Sequence, residues 1–156
     1  VHSVANNPNA SAAGILGHTP GSAATLTYCA NFGNITADQS YAAGIAYSLY
    51  GSITANYCYN SGAISGADGA GGIAPKAQFG TSDKANYSLN AGLITSSNGL
   101  AYQASNINTS CYYYSGNDLL NVLDNSPAVV EDALLMLNGG ADDNFFTLSG
   151  GKIVVN

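Results

Sequence analysis

The feature that most constrains this chain is an internal repeat. Tyr28-Cys29-Ala30-Asn31-Phe32-Gly33-Asn34-Ile35-Thr36, Tyr57-Cys58-Tyr59-Asn60-Ser61-Gly62-Ala63-Ile64-Ser65 and Tyr87-Ser88-Leu89-Asn90-Ala91-Gly92-Leu93-Ile94-Thr95 share one pattern, 29 and 30 residues apart. Tyr112-Tyr113-Tyr114-Ser115-Gly116 reads as a fourth copy, which loses the aliphatic position at Asp118 and so ends the array. A second motif keeps nearly the same period: Gly14-Ile15, Gly44-Ile45, Gly72-Ile73 and Gly99-Leu100 are 30, 28 and 27 residues apart. Two motifs with one period make the chain an array of stacked units that bury their apolar faces on each other.

A period near thirty suits helical repeats as well as β-layers, so propensity decides between them. The repeat interiors are dense in Gly, Ser, Thr, Asn and Tyr, which disfavour helix, and short alternating stretches such as Ser52-Ile53-Thr54-Ala55-Asn56-Tyr57 are broken by Asn and Gly turn signals. The expected fold is all-β: a parallel β-solenoid (β-helix) of about four coils of 27–30 residues over 1–116, followed by a C-terminal helix-plus-hairpin cap over 117–156.

Stacked coils place like residues above one another at about 4.8 Å. The expected interior columns are Ile35, Ile64 and Ile94, and Ile15, Ile45, Ile73 and Leu100. Asn31, Asn60 and Asn90 would form an amide ladder at a turn, with Gly33, Gly62 and Gly92 supplying positive φ. In the C-terminal segment Asp118–Leu123 suggests a short helix. Ser126-Pro127 is an N-cap and first-turn signal for a second helix, which Asn138-Gly139-Gly140 ends; Gly150-Gly151 centres a hairpin.

Charged residues are 8% of the chain, against roughly 25% in an ordinary domain. Eleven Tyr and the regular Ile and Val positions still imply a packed fold rather than disorder. The net charge is −6: residues 117–156 hold six acids against Lys152, and Arg is absent. Phosphate backbones and anionic membrane surfaces need clustered Lys and Arg, so nucleic acid and membrane surfaces are excluded as partners. No apolar run is long enough to cross a bilayer, so membrane insertion is not expected either. The opening at Val1 is read as that of a processed or excised piece of a longer precursor.

Gly14-Ile15-Leu16-Gly17, the Tyr-Cys-x-Asn-x-Gly-x-Ile segments, and Leu137-Asn138-Gly139-Gly140 with Phe145 together resemble the GLUG-type repeats of bacterial surface proteins, over roughly residues 12–155. The final Gly of the tetrapeptide is absent at Ala46-Tyr47, Ala74-Pro75 and Ala101-Tyr102. The resemblance implies large secreted or wall-attached proteins in which such repeats are stalks or adhesive modules, and it carries over no catalytic residue.

Candidate chemistry is sparse. Asp38 and Asp68, one coil apart, are the carboxylates that a polysaccharide-degrading site would stack, but with Asp83 they are the only acids in the array; they read as turn carboxylates. Asp142-Asp143-Asn144 lacks calcium-loop spacing, and His2 and His18 lie far from a nucleophile. No metal, cofactor or catalytic residue is expected. Cys29 and Cys58 are either a disulfide between adjacent coils or two thiols of one column, with Cys111 left over. Asn34, Asn86 and Asn108 head N-glycosylation sequons. Tyr47, Tyr59, Tyr102 and Tyr113 are candidates for an outward adhesive face, since Tyr is enriched at interfaces.

The expected function is that of a non-catalytic structural or adhesive module at an extracellular or cell surface, contacting a glycan, a protein surface or its own copies. The alternatives are a subunit that self-assembles into a filament or surface layer, and a polysaccharide-binding or polysaccharide-degrading β-helix.

Overall fold

A computed structural model describes residues 2–3, 11–17, 21–48, 51–75, 84–99, 101–102, 110–139 and 144–156. The fold is mostly β, with one helix. Two short strands come first, His2–Ser3 (β1) and Ala12–Ala13 (β2). One layer then follows from Ala23–Thr27 (β3), Ala30–Asn31 (β4), Ile35–Ala37 (β5) and Tyr41–Ala43 (β6). The next has Ser52–Asn56 (β7), Tyr59–Asn60 (β8), Ile64–Gly66 (β9) and Gly69–Gly71 (β10). A further layer has Lys84–Asn86 (β11), Leu89–Asn90 (β12), Ile94–Ser96 (β13) and Ala101–Tyr102 (β14). Tyr112–Ser115 (β15), Asp118–Asn121 (β16), Val130–Leu137 (α1), Phe146–Ser149 (β17) and Lys152–Val155 (β18) complete the order.

Each layer gives one strand to each of four sheets, ordered β1-β5-β9-β13, β14-β10-β6-β2, β11-β7-β3 and β16-β15-β12-β8-β4. The pairs β15–β16 and β17–β18 are antiparallel; the other strand pairs among the described residues are parallel. Like residues meet: Ile35 pairs with Ile64 and Ile64 with Ile94, Asn31 with Asn60 and Asn60 with Asn90, Thr25 with Thr54. One interior cluster holds Ile45, Ile53, Ile73 and Cys58, another Ile35, Ile64, Ala42 and Ala70. Each fully buried Ile contributes about 1.5–3 kcal/mol.

The columns fade at their ends. Ile35 and Ile64 are buried, while Ile94 in the last full layer is half-buried. Ile15, expected inside with Ile45 and Ile73, is 48% exposed, because its layer has no counterpart of β3 or β4 among the described residues to close over it. Leu100 lies outside the described residues. Its neighbour Gly99 is not the counterpart of Gly72: Ala101 pairs with Ala70 and Tyr102 with Gly71, and Gly99 sits in the preceding turn at φ 71°. The fourth motif copy is likewise displaced, since Tyr112 pairs with Leu89 and Tyr113 with Asn90.

The repeat glycines Gly33, Gly62 and Gly92 do not supply positive φ. A Cβ on Gly62 would stand 2.0 Å from Gly33 O, and one on Gly92 2.0 Å from Gly62 O. The close approach of successive layers is what demands glycine. Positive φ falls instead on Tyr28, Tyr57 and Tyr87, at 55°, 52° and 47°.

The C-terminal segment also departs from expectation. Asp118–Leu123 is not a helix; β16 within it pairs antiparallel with β15 and closes that sheet. The helix starts at Val130, with no side-chain cap, rather than at Ser126-Pro127. Residues 126–128 are held as a partner of β16: Asn121 N–H donates to Ser126 O, Ala128 N–H donates to Leu119 O, and Leu120 bridges Pro127. The β17–β18 hairpin turns at Gly150 and Gly151, at φ 58° and 79°. Asn138, just after the helix, donates to Phe146 O and accepts from Phe146 N–H, tying α1 to β17. Helix and hairpin lie along the side of the stack, not only over its end: Ala133, Leu137, Phe146 and Ile153 form one cluster with Tyr59 and Leu89, and Phe145 reaches Tyr28.

Candidate binding surface

The corner between β3 and β4 recurs in each full layer as a Tyr in the left-handed region followed by Cys or Ser. Such a conformation costs a bulky residue about 1–2 kcal/mol. The rings stack, Tyr28 on Tyr57 at 5.0 Å and Tyr57 on Tyr87 at 5.1 Å, and Phe145 lies 5.4 Å from Tyr28. Aromatic contacts add about 0.5–1.5 kcal/mol each, so three ring contacts offset most of the strain of three tyrosines. The stack is therefore structural. Sequence reasoning missed its backbone role, although the same Tyr heading three copies was its signal.

The four tyrosines expected to face outward do not make one face. Tyr47 is 3% exposed and stacks on Tyr41 at 5.4 Å; Tyr59 is 4% exposed beneath Phe146. Burial raises the Tyr59 phenol above its ordinary value. Tyr102 is half-buried on β14, and Tyr113 is half-buried on β15 with its hydroxyl donating to Asn125 Oδ1 at 2.9 Å. The physical cause is that the side unit covers the Tyr59 sheet, while Tyr47 packs with Tyr41 and Ala43.

Two sheet faces carry the exposed and half-exposed polar rows. One presents Thr25, Thr54 and Lys84 in register, beside Thr27, Asn56 and Asn86. The other presents Thr36, Ser65 and Thr95. Both are short rows of hydroxyl, amide and methyl groups, charged only at Lys84, and they suit hydrogen bonding to a neutral polar partner.

The cysteines are free thiols, so the Cys29–Cys58 disulfide is not formed. Cys58 Sγ is turned to Asn56 O at 3.3 Å and Leu26 O at 3.8 Å, and Cys29 Sγ to Thr27 O at 3.7 Å. Cys111 is not left over: Tyr112 follows it in register with Leu89, which places it over Ser88 in the same column. Burial pushes both the Cys58 and the Cys111 thiols up to about 12, which removes them as nucleophiles at neutral pH.

Asp68 stands in register with Ser40 rather than with Asp38. The turn before β6 has three residues and that before β10 has two, so Asp68 N–H donates to Ser40 O, and Asp68 Oδ1 accepts from Asn98 Nδ2 at 3.4 Å. No group of three or more His, Cys, Asp or Glu able to hold a metal occurs among the described residues, and no described helix is long and apolar enough to cross a membrane. Asn34 is exposed, with its Oδ1 accepting from Ala63 N–H at 2.9 Å; Asn86 donates its amide to Asn56 Oδ1 at 2.8 Å and so serves the stack. Asn108, His18, Asp83 and Asp142-Asp143 lie outside the described residues.

A groove of about 360 Å³ lies between residues 91–94 and 113–116. Lys152 stands at its edge, donating to Gly116 O at 3.2 Å with its ammonium 5.3 Å from the Tyr114 ring centroid. Comparison of the chain with protein-family models, with curated proteins and with solved structures gave no match.

Proposed function

We propose that the chain is a parallel β-solenoid that acts as a non-catalytic structural and adhesive module of an extracellular or cell-surface protein, akin to GLUG-type repeats. The observation that carries this reading is the delivery of one strand per repeat to each of four sheets, with Asn31, Asn60 and Asn90 bonded in series inside. A rod built by repetition spaces and presents surfaces, and each layer is stabilised by its neighbours. On this reading residues 1–116 are the rod and 117–156 brace it from the side and end.

The uncharged Thr, Ser and Asn rows support contact with neutral glycan or protein surfaces, and the low content of charge agrees with it. Self-assembly into a filament has less support, because β16 runs antiparallel and interrupts the parallel ladder at one end. Polysaccharide degradation has less still, since Asp68 stands in register with Ser40 rather than with Asp38.

The test is a glycan and matrix-protein array probed with the purified chain, alongside a turnover assay on the same glycans. Saturable binding without cleavage is the expected result. Cleavage abolished by Asp38→Ala or Asp68→Ala would replace this reading with an enzymatic one.

A further inference from the structure

The sheets do not end together. The sheet of β5, β9 and β13 stops at β13 among the described residues, whereas the sheet of β4, β8 and β12 continues through β15 and β16. In the layer beyond β13 the chain runs only to Gly116, then reverses into β16 at Asp118. In the earlier layers the chain goes on as a strand at this place, where Ile35 N–H donates to Ala63 O at 2.9 Å and Ile64 N–H to Leu93 O at 2.8 Å. Over Ile94 the next strand is missing among the described residues; Ile94 is half-buried and Leu93 is 72% exposed. The groove of about 360 Å³ fills this step, and Lys152 marks its Gly116 end.

We infer that this step docks the C-terminal strand of another protein, added to the edge of β13 with its terminal carboxylate at Lys152. An exposed strand edge is satisfied by an added extended strand, and its hydrogen bonds need no particular sequence. The chain itself occupies the layer up to Gly116, so an occupant has to terminate there rather than pass through. A terminal ammonium would meet the like charge of Lys152, whereas a terminal carboxylate meets an opposite one. Lys152 is the only cation after Lys84 in the sequence, so a carboxylate has one partner in this region. The docked strand therefore runs antiparallel to β13, with a β-branched residue beside Leu93 and Ile94. The inference rests on the sheet order and the groove, independently of the adhesive role.

The experiment uses the whole chain and the synthetic peptide acetyl-Ser-Thr-Ile-Thr-Ile-Val, made with a free C-terminal carboxylate and as the C-terminal amide. Titration is followed calorimetrically and by backbone amide NMR. The free acid is expected to bind and to shift the resonances of residues 93–96. The amide should bind at least about tenfold more weakly, which is about 1.4 kcal/mol, and Lys152→Met should lower affinity for the acid to a similar degree. Proline in place of the first isoleucine of the peptide should abolish binding. No binding of the acid at millimolar concentration, or equal affinity for acid and amide, overturns the inference. So does a dimer in which cross-links join residue 95 to residue 2 of a second copy, since that copy would then be the occupant.

Discussion

Asn31 donates its side-chain amide to Asn60 Oδ1 at 2.7 Å, across 29 residues of sequence and inside the stack. Asn60 passes the same bond on to Asn90 Oδ1 at 2.7 Å, and each of the three also donates to the carbonyl of the glycine two residues ahead. Asn60 and Asn90 are fully buried, and the ladder crosses the interior to the other motif: a Cβ on Gly44 would stand 2.6 Å from Asn60 Cγ, and one on Gly72 2.3 Å from Asn90 Cγ. The two repeated motifs are thus two halves of one contact. Glycine is required opposite each buried amide, and the amide is required to hold the turn that bears the next glycine.

Removal of the middle rung should be costly. Asn60→Ala removes three buried bonds, from the Asn31 amide to Asn60 Oδ1 and from the Asn60 amide to Asn90 Oδ1 and Gly62 O, and each such bond is worth about 0.5–1.5 kcal/mol. The expected loss is about 2–4 kcal/mol in urea denaturation. Asn34→Ala, which removes one exposed bond to Ala63 N–H, should cost less than about 1 kcal/mol.

The repeat glycines should respond unequally although they occupy one motif position. A Cβ on Gly62 meets Gly33 O at 2.0 Å, whereas a Cβ on Gly33 has nothing nearer than Asn31 Oδ1 at 3.8 Å. Gly62→Ala and Gly92→Ala should therefore destabilise by more than about 3 kcal/mol or prevent folding, as overpacking against backbone does. Gly33→Ala should stay within about 0.5 kcal/mol of the parent. Thermal unfolding of the three variants side by side checks this.

Much of this was legible in the sequence for a physical reason. Asn31, Asn60 and Asn90, or Ile35 and Ile64, touch their own counterparts, so contact enforces repetition and repetition is visible. What was not legible lacks that self-contact. Ser126-Pro127 carries a valid helix-start signal, but Leu120 takes Pro127 as a strand partner and the helix begins later. Tyr113 stands over Asn90 because the last layer slips by two residues against the motif, and a run of three tyrosines cannot reveal a slip. The burial of Tyr59 depends on Phe146, which lies far along the chain and outside the repeat.

At the strained corner, glycine should be a better replacement than alanine. Tyr57 has φ 52° and stacks on both Tyr28 and Tyr87. Either substitution loses two ring contacts, but only glycine relieves the left-handed conformation, worth about 1 kcal/mol. Tyr57→Gly is expected to exceed Tyr57→Ala in stability by about that amount, measured by chemical denaturation. The opposite order would place the stabilisation of the corner elsewhere.

Alkaline pH should loosen the fold partly through its thiols. Cys58 and Cys111 are raised by burial from 9.0 to about 12. Between those values the unfolded chain has released protons that the folded chain still holds, so stability is intact below about pH 9 and falls as pH rises towards 12. Each thiol contributes a slope of up to about 1.4 kcal/mol per pH unit in that window. Cys58→Ser, which repeats the residue found at Ser88 in the same column, should flatten the decline relative to the parent, as read from urea midpoints at pH 8 to 11. An unchanged slope would mean that the thiol ionises without cost in the fold.

The central claim is that successive repeats lie directly on one another, and isoleucine methyl NMR tests it most directly. With selective methyl labelling, Ile35 should show a nuclear Overhauser contact to Ile64, Ile64 to Ile94, and Ile45 to Ile73, as neighbours on strands about 4.8 Å apart do. Ile35 should show none, or only a much weaker one, to Ile94 two layers away. Absence of the Ile35–Ile64 contact, or a direct contact of Ile35 with Ile94 in its place, would contradict the layered account.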